Sequence, residues 1–429
     1  MQLIQIEVQL LFVLRKVMDM IKRTVKKEVD IALKNYPVVL ITGARQLGKR
    51  TLAYEFVKEQ GFDYMSLDNI EQRQIAIRDP KYFLQQFHKP LIIDEVQYAP
   101  ILFEVIEEIV NMKRLEEGSA NGMFILIGSQ AFHLMNNVTQ SLAGRVSVIE
   151  MLPLSLNEIF GYESQPFIPT QERIEIFKNR EGMEVKELFQ YIVKGSYPEL
   201  YKEKNKMISD YYENYINTYI DRDISELINI KDKLKFHSFL QYLASLTSQQ
   251  INASELGRKI GVSYKTINHW LSLLEATGII YFLQPYNDLS IAKRIIKSPK
   301  VYFSDTGVAA YLARLNQPET LLISNFSGAF NETLIMNEIR KSFINNKLPF
   351  HAYYYRDVNQ NEIDLVLLYD GQLSLIEIKQ GVSFHLSDVK SFHQLESSMY
   401  PIANEVIVCN TLENYPLNRD IQVVSLKCI

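Results

Sequence analysis

From Tyr36 onward, short apolar runs alternate with helical stretches. The runs are Val38 to Thr42, Tyr64 to Leu67, Leu91 to Asp94, Phe124 to Gly128 and Val146 to Leu152, each about a strand long and without polar alternation. Strands apolar on both faces, with helices between them, predict a parallel α/β sheet. Over residues 156–245 apolar and aromatic positions recur at spacings of three and four, as in Leu188, Tyr191 and Ile192, and in Tyr212, Tyr215, Ile216, Tyr219 and Ile220. That period predicts helix after helix, broken at Gly195 to Pro198, with the tyrosine stripe as core and not as a base-stacking surface. Residues 250–300 return to short helices and a hairpin. Beyond residue 301 strands (Tyr353 to Tyr355, Ile363 to Leu368, Ser374 to Ile378, Val406 to Cys409, Ile421 to Leu426) mix with a helical stretch from Gly328 to Phe343.

Composition narrows the class. With 429 residues, 47% apolar and 22% charged, the chain has room for two to four packed domains. Its 46 Lys plus Arg against 50 Asp plus Glu exclude a histone-like or tail-dominated protein. Two cysteines, Cys409 and Cys428, provide neither a disulfide framework nor a Cys-based zinc site, which fits a cytoplasmic home. The apolar stretch Val8 to Leu14 is too short to span a bilayer, so no membrane role is expected. Met20 opens a basic run with Lys22, Arg23, Lys26 and Lys27, leaving residues 1–19 as a dispensable extension.

Directly after the Val38 to Thr42 run stand Gly43, Ala44, Arg45, Gln46, Leu47, Gly48, Lys49, Arg50 and Thr51, and a helical stretch follows. Gly43, Gly48 and Lys49 have the G-x-x-x-x-G-K spacing of a phosphate-binding loop in the strand–loop–helix context it requires. The glycines let backbone N–H groups converge on phosphate oxygens, the helix N-terminus adds its positive end, and Lys49 reaches the β- and γ-phosphates of ATP. Asp94 and Glu95 end the Leu91 run, where α/β crevices bind ligands. Asp94 is placed to hold Mg²⁺ and Glu95 to polarise an attacking water.

These motifs, with GSQ at Gly128 to Gln130, SLAGR at Ser141 to Arg145 and LPLSLNEI at Leu152 to Ile159, resemble those of prokaryotic AAA-superfamily ATPases that carry a C-terminal domain of unknown function. Further matches are Gly195 to Glu199, Tyr219 to Asp223, Lys297 to Gly307, Tyr355-Arg356 and Asn361 to Asp364, so the likeness runs from about Met20 to the C-terminus. The resemblance implies that Ser129 senses the γ-phosphate. Arg145 either supplies positive charge to that phosphate, in its own or a neighbouring subunit of an oligomer, or pairs with an acidic residue. One departure matters: the residue after the loop lysine, which binds Mg²⁺ as Ser or Thr, is Arg50. Thr51 is no simple substitute, because adjacent helix positions point about 100° apart. Nucleotide binding is therefore expected, with slow or absent turnover.

The C-terminal half adds two patterns. Ser254 to Ile260, a Gly261 turn and Tyr264 to Ala276, followed by Gly278 and a strand, form a winged-helix layout. Its second helix offers Lys265, Thr266, Asn268 and His269 to a major groove, with Ile267, Trp270, Leu271 and Leu274 packed behind. Lys293, Arg294, Lys297 and Lys300 near the wing suit phosphate contacts of double-stranded DNA. A winged helix used for protein contacts or as an ATPase lid is the alternative. Further on, Asp364, an Asp370-Gly371 turn, and Glu377 with Lys379 on one strand face resemble a PD-(D/E)xK nuclease core, with Glu332 as a further acid. Asp364 and Glu377 would bind Mg²⁺ and Lys379 would position or activate water; the alternatives are a strand pair with a salt bridge, or a nuclease fold kept for packing or DNA clamping without cleavage.

The expected fold is α/β: an N-terminal P-loop domain at 20–155 with a parallel sheet, a helical connector at 156–245, a winged helix at 246–300, and a mixed α/β nuclease-like domain at 301–429. The expected function is an ATP-binding protein of the AAA superfamily, an ATPase of slow or impaired turnover coupled to DNA binding by its C-terminal half. A non-hydrolysing regulator and an ATP-switched nuclease are the alternatives.

Overall fold

The computed structural model describes residues 21–128, 142–177, 179–202, 206–218, 232–287 and 298–429. The 1–19 extension, Ser129, Tyr219 to Asp223 and the basic residues Lys293, Arg294 and Lys297 lie outside them.

The first sheet has five parallel strands: β1 (Val38–Thr42), β2 (Asp63–Ser66), β3 (Leu91–Asp94), β4 (Phe124–Ile127) and β5 (Val146–Glu150), in the order β2–β3–β4–β1–β5. Strand alternation sends Val38, Leu40, Leu91, Ile93, Phe124 and Leu126 to one face, against helix Leu102–Glu117. It sends Val39, Ile41, Ile92, Ile125 and Ile127 to the other, against helices Val25–Asn35 and Lys49–Gln60. Both faces are covered at β1, β3 and β4, which is why these runs carry no polar alternation, whereas the edge strands depart from that expectation: β2 is only half-buried and β5 buries alternate positions.

The second sheet has nine strands: β6 (Gln249–Gln250), β7 (Ile280–Pro285), β8 (Lys300–Phe303), β9 (Ala352–Arg356), β10 (Glu362–Tyr369), β11 (Gln372–Lys379), β12 (Ile402–Cys409), β13 (Tyr415–Pro416) and β14 (Ile421–Ser425). Their order is β13–β14–β12–β11–β10–β9–β7–β8–β6. The β10–β11 hairpin turns on Asp370 at φ 48° and Gly371 at φ 73°, the two consecutive left-handed residues a tight hairpin turn demands. Helices Ala253–Ile260 and Tyr264–Ala276 lie between β6 and β7, and β6, β8 and β7 form an antiparallel trio. Parallel pairing of Gln284 with Tyr353 and Pro285 with Tyr354 joins β7 to β9. The sheet is thus continuous across residue 300, where the sequence pattern suggested a boundary.

Between the sheets lie the helices of 156–244. Tyr211, Tyr212 and Tyr215 are buried in one large core with Trp270, Tyr302 and Phe330, as expected of a core stripe. Helix Ser327–Ile344 is buried on most of its surface and ties the halves together: Leu156 N–H donates to Glu338 (2.8 Å), Lys341 Nζ donates to the Leu154 carbonyl (2.8 Å), and Arg340 pairs with Glu150 at 2.9 Å.

Candidate functional site

The loop after β1 follows from its glycines. Gly43 sits at φ 137°, where a Cβ would lie 2.2 Å from the backbone carbonyl oxygen of Met151, so only glycine fits. Gln46 (φ 63°) and Gly48 (φ 88°) complete the turn, and helix Lys49–Gln60 begins at once. Lys49 Nζ folds back onto the loop, donating to the carbonyls of Gly43 (2.8 Å) and Ala44 (2.7 Å). Burial lowers its pKa to about 8, against the pull of Glu95 and Asp94. The loop is clasped from outside: Arg23 donates to the Leu47 carbonyl at 2.7 Å, Tyr211 OH donates to Gln46 Oε1 at 2.7 Å, and Ala44 and Leu47 are buried in the core of the C-terminal half.

Facing the loop, Asp94 ends β3 with its side chain 1% exposed. Tyr64 OH donates to its Oδ2 at 2.8 Å, Ser66 Oγ lies 3.5 Å from the same oxygen, and the Glu95 N–H donates to Oδ1 at 3.1 Å. The Arg50 guanidinium closes the set through Nε on Asp94 and Nη2 on Asp68, with Glu95 at 3.4 Å. Burial pushes the Asp94 carboxyl up from its ordinary range, while Tyr64 and Arg50 hold it back. Glu95 is in the left-handed region at φ 56°, an uncommon place for a non-glycine residue, and Gln97 Nε2 donates to its carboxylate. The structure therefore brings Gly43 to Thr51, Asp94 and Glu95 together. Arg145 is elsewhere, donating to Asn111 at 2.8 Å and pairing with Glu107 at 3.3 Å.

These residues do not fit a magnesium ion in its usual place. Mg²⁺ demands near-octahedral oxygen ligation. The position that would supply a hydroxyl is Arg50, and both oxygens of Asp94 are already engaged by donors. Among the described residues no group of three or more His, Cys, Asp or Glu side chains is disposed to hold a metal ion.

The C-terminal residues also converge. Lys379 Nζ lies 2.9 Å from Glu377 and 3.7 Å from Asp364, and Ile378 N–H donates to Asp364 at 2.9 Å. Glu332 joins from helix Ser327–Ile344. In the middle sits Lys300, the cation of an otherwise apolar strand, at 3.2 Å from Glu332, 2.6 Å from Glu362 and 3.8 Å from Asp364, with its side chain 3% exposed. Tyr302 OH donates to Glu332 at 2.6 Å, and Arg356 pairs with Glu362 at 3.1 Å. Burial raises Glu332 to about 7. Burial and the facing Asp364 push the Glu377 carboxyl up from its ordinary range, while Lys300 holds Asp364 low against its own burial. Sequence reasoning placed Lys300 with the wing cations; a lone lysine inside a short apolar strand was the available signal that it points inward. Tyr64 and Asp68 were likewise missed, because only the pairing of β2 with β3 brings them to Asp94.

Comparison with known proteins agrees with the first sheet. Residues 35–160 match a family described as an AAA domain, and residues 185–319 and 327–429 match two families described as domains of unknown function. An uncharacterized protein of Mycobacterium tuberculosis and one of Mycobacterium bovis are each 26% identical over 350 residues, covering 81% of this chain and 71% of theirs. Among solved structures, a Walker-type ATPase of Pyrococcus abyssi has a TM-score of 0.43 at 13% identity, covering 69% of this chain and 96% of its own. The Holliday-junction branch-migration motor RuvB of Thermotoga maritima has a TM-score of 0.31 at 19% identity, covering 60% and 88%. The strand order, the loop and the matched AAA domain define the class: the N-terminal part of this chain has the fold of an AAA-type P-loop ATPase. Among the described residues no helix is long and apolar enough to cross a membrane.

Proposed function

We propose that this protein binds ATP at Gly43 to Thr51, turns it over slowly or not at all, and passes its nucleotide state to a C-terminal half that contacts DNA. The observation that supports it is the loop itself, which has a buried lysine inside and C-terminal side chains outside. Triphosphate would draw Lys49 Nζ off the carbonyls of Gly43 and Ala44. The loop cannot shift without moving Gln46 against Tyr211 or Ala44 against Gly278, where a Cβ on the glycine would lie 3.8 Å from that of Ala44. In this reading residues 20–155 are the nucleotide module, 156–245 the connector, 246–300 a winged helix, and 301–429 the nuclease-like end. Ser129 would sense the γ-phosphate, and Glu95 would orient water in whatever turnover occurs. The test is ATP binding and hydrolysis by the purified protein, with and without duplex DNA. Lys49→Ala should weaken binding about 10- to 100-fold, the worth of a charge-assisted contact of about 1.5–3 kcal/mol. Unchanged affinity would sink the proposal.

The lysine also predicts a pH dependence. Only the ammonium form holds phosphate, and it predominates below about 8 in the free protein. Affinity should fall about tenfold between pH 7 and pH 9. The nucleotide-free protein should show the opposite sign over a higher window: its lysine deprotonates before the unfolded chain's does, so this group adds stability as pH rises from about 8 to 10.5. Calorimetric titrations at the two pH values would show whether affinity moves.

DNA contact is supported by helix Tyr264–Ala276, where Lys265, Asn268 and His269 are exposed while Ile267, Trp270, Leu271 and Leu274 are buried. For the C-terminal cluster, Lys300 seated among Glu332, Glu362 and Asp364 favours DNA clamping or packing over Mg²⁺-dependent cleavage by Asp364, Glu377 and Lys379.

A further inference from the structure

We propose that Arg50 takes the place of the divalent ion at the phosphate loop, so that this protein binds nucleoside triphosphate without Mg²⁺. The inference rests on the ATP-binding reading above and deepens it. A metal in a P-loop site bridges phosphate oxygens to the carboxylate that ends the facing strand. Here the guanidinium is anchored by Nε on Asp94 and by Nη2 on Asp68, with Glu95 at 3.4 Å, and it grows from the helix position directly after Lys49. Its contacts to these carboxylates run through Nε and Nη2, and half of the side chain is open to solvent. Its planar fork suits a phosphate's paired oxygens as well as a carboxylate's. Arg50 can therefore keep Asp94 while offering Nη1 to the triphosphate, the bridging task a metal performs.

The same geometry disfavours the metal. Asp94 is buried and spends its oxygens on Arg50, Tyr64, Ser66 and the Glu95 N–H. A dication seated against the same carboxylate would stand beside the guanidinium and meet twice the repulsion of a single charge, in a setting less screened than bulk water. Withdrawing Arg50 to admit the ion would strip three carboxylates of their common cation. A single fixed charge also neutralises less of the triphosphate than Mg²⁺ does, which accords with binding outlasting turnover.

The test compares ATP affinity in EDTA and in Mg²⁺ by titration calorimetry, for the wild type, Arg50→Thr and Arg50→Lys, with thermal unfolding as a control for folding. The wild type should bind within about twofold in the two conditions, a difference under about 0.4 kcal/mol. Arg50→Thr should bind at least tenfold more weakly in EDTA and recover in Mg²⁺. Arg50→Lys, a point charge without the fork, should fall between. A wild type at least tenfold weaker in EDTA would overturn the inference. A second arm needs no nucleotide: Mn²⁺ titrated by electron paramagnetic resonance should bind Arg50→Thr and not the wild type, and Mn²⁺ binding by the wild type at Asp94, lost in Asp94→Asn, would overturn the inference equally. Absence of ATP binding in both buffers would remove the ATP reading while this arm still decides whether Arg50 excludes the metal.

Discussion

A Lys300→Met variant is expected to lose about 3–5 kcal/mol of folding stability, the range for removing one partner from a buried ionic cluster. Methionine fills the volume of the lysine stem, so the loss reports charge and not a cavity. Without the ammonium, Glu332, Glu362 and Asp364 face one another in the interior, with Arg356 and Lys379 reaching only the rim. The damage should centre on the join between β8, helix Ser327–Ile344 and β10, because Lys300 is the cation that these elements share. Two controls separate this from generic damage. Adding Glu332→Gln should recover part of the loss, since one uncompensated carboxylate disappears. Lowering the pH toward 5 should also recover part of it: carboxylates deprived of their cation bind protons more tightly folded than unfolded, so the folded variant gains as pH falls. Urea denaturation at the two pH values measures both. A variant within about 1 kcal/mol of the wild type would show that the cluster does not need its lysine.

Lys300 also marks where sequence legibility ends. The three central strands of the first sheet, β1, β3 and β4, were readable because each is buried throughout and so carries a nearly unbroken apolar run, and the turn at Asp370-Gly371 announced itself chemically. The helices Ala253–Ile260 and Tyr264–Ala276 were legible from spacing and from Gly261 between them. The joining of β7 to β9 was not, because Gln284 and Pro285 pair with Tyr353 and Tyr354 across intervening helices that leave no local signal. Side-chain partners obeyed the same limit. Gly43 to Thr51 is a contiguous motif whose spacing carries its geometry, and Arg50 could be flagged as an anomaly from its position alone. That it would rest on Asp94 and Asp68 needed the fold, as did Arg145 turning to Glu107.

Arg23→Met should also destabilise by about 3–5 kcal/mol, and it should loosen the phosphate loop as it does so. The guanidinium is nearly buried and spends every branch: Nε lies 3.1 Å from Glu158, Nη1 donates to the Leu47 carbonyl at 2.7 Å, and Nη2 donates to the Leu152 carbonyl at 2.6 Å. Glu158 in turn accepts from the backbone N–H of Thr24 at 2.8 Å and of Ser155 at 3.0 Å, closing the capping box of helix Leu156–Phe160. Removing Arg23 strands a buried anion and leaves two carbonyls without these donors, which costs more than the salt bridge itself contributes. Arg23→Met with Glu158→Met should therefore be less destabilised than the sum of its parts, with a coupling of about 1–3 kcal/mol in a double-mutant cycle. Because one of the lost bonds ends on Leu47, two residues before Lys49, the single variant should weaken ATP binding even where it remains folded. Loss of stability with unchanged nucleotide affinity would mean that the loop keeps its shape without this clasp, leaving the glycines and the C-terminal packing at Gln46 and Ala44 to hold it.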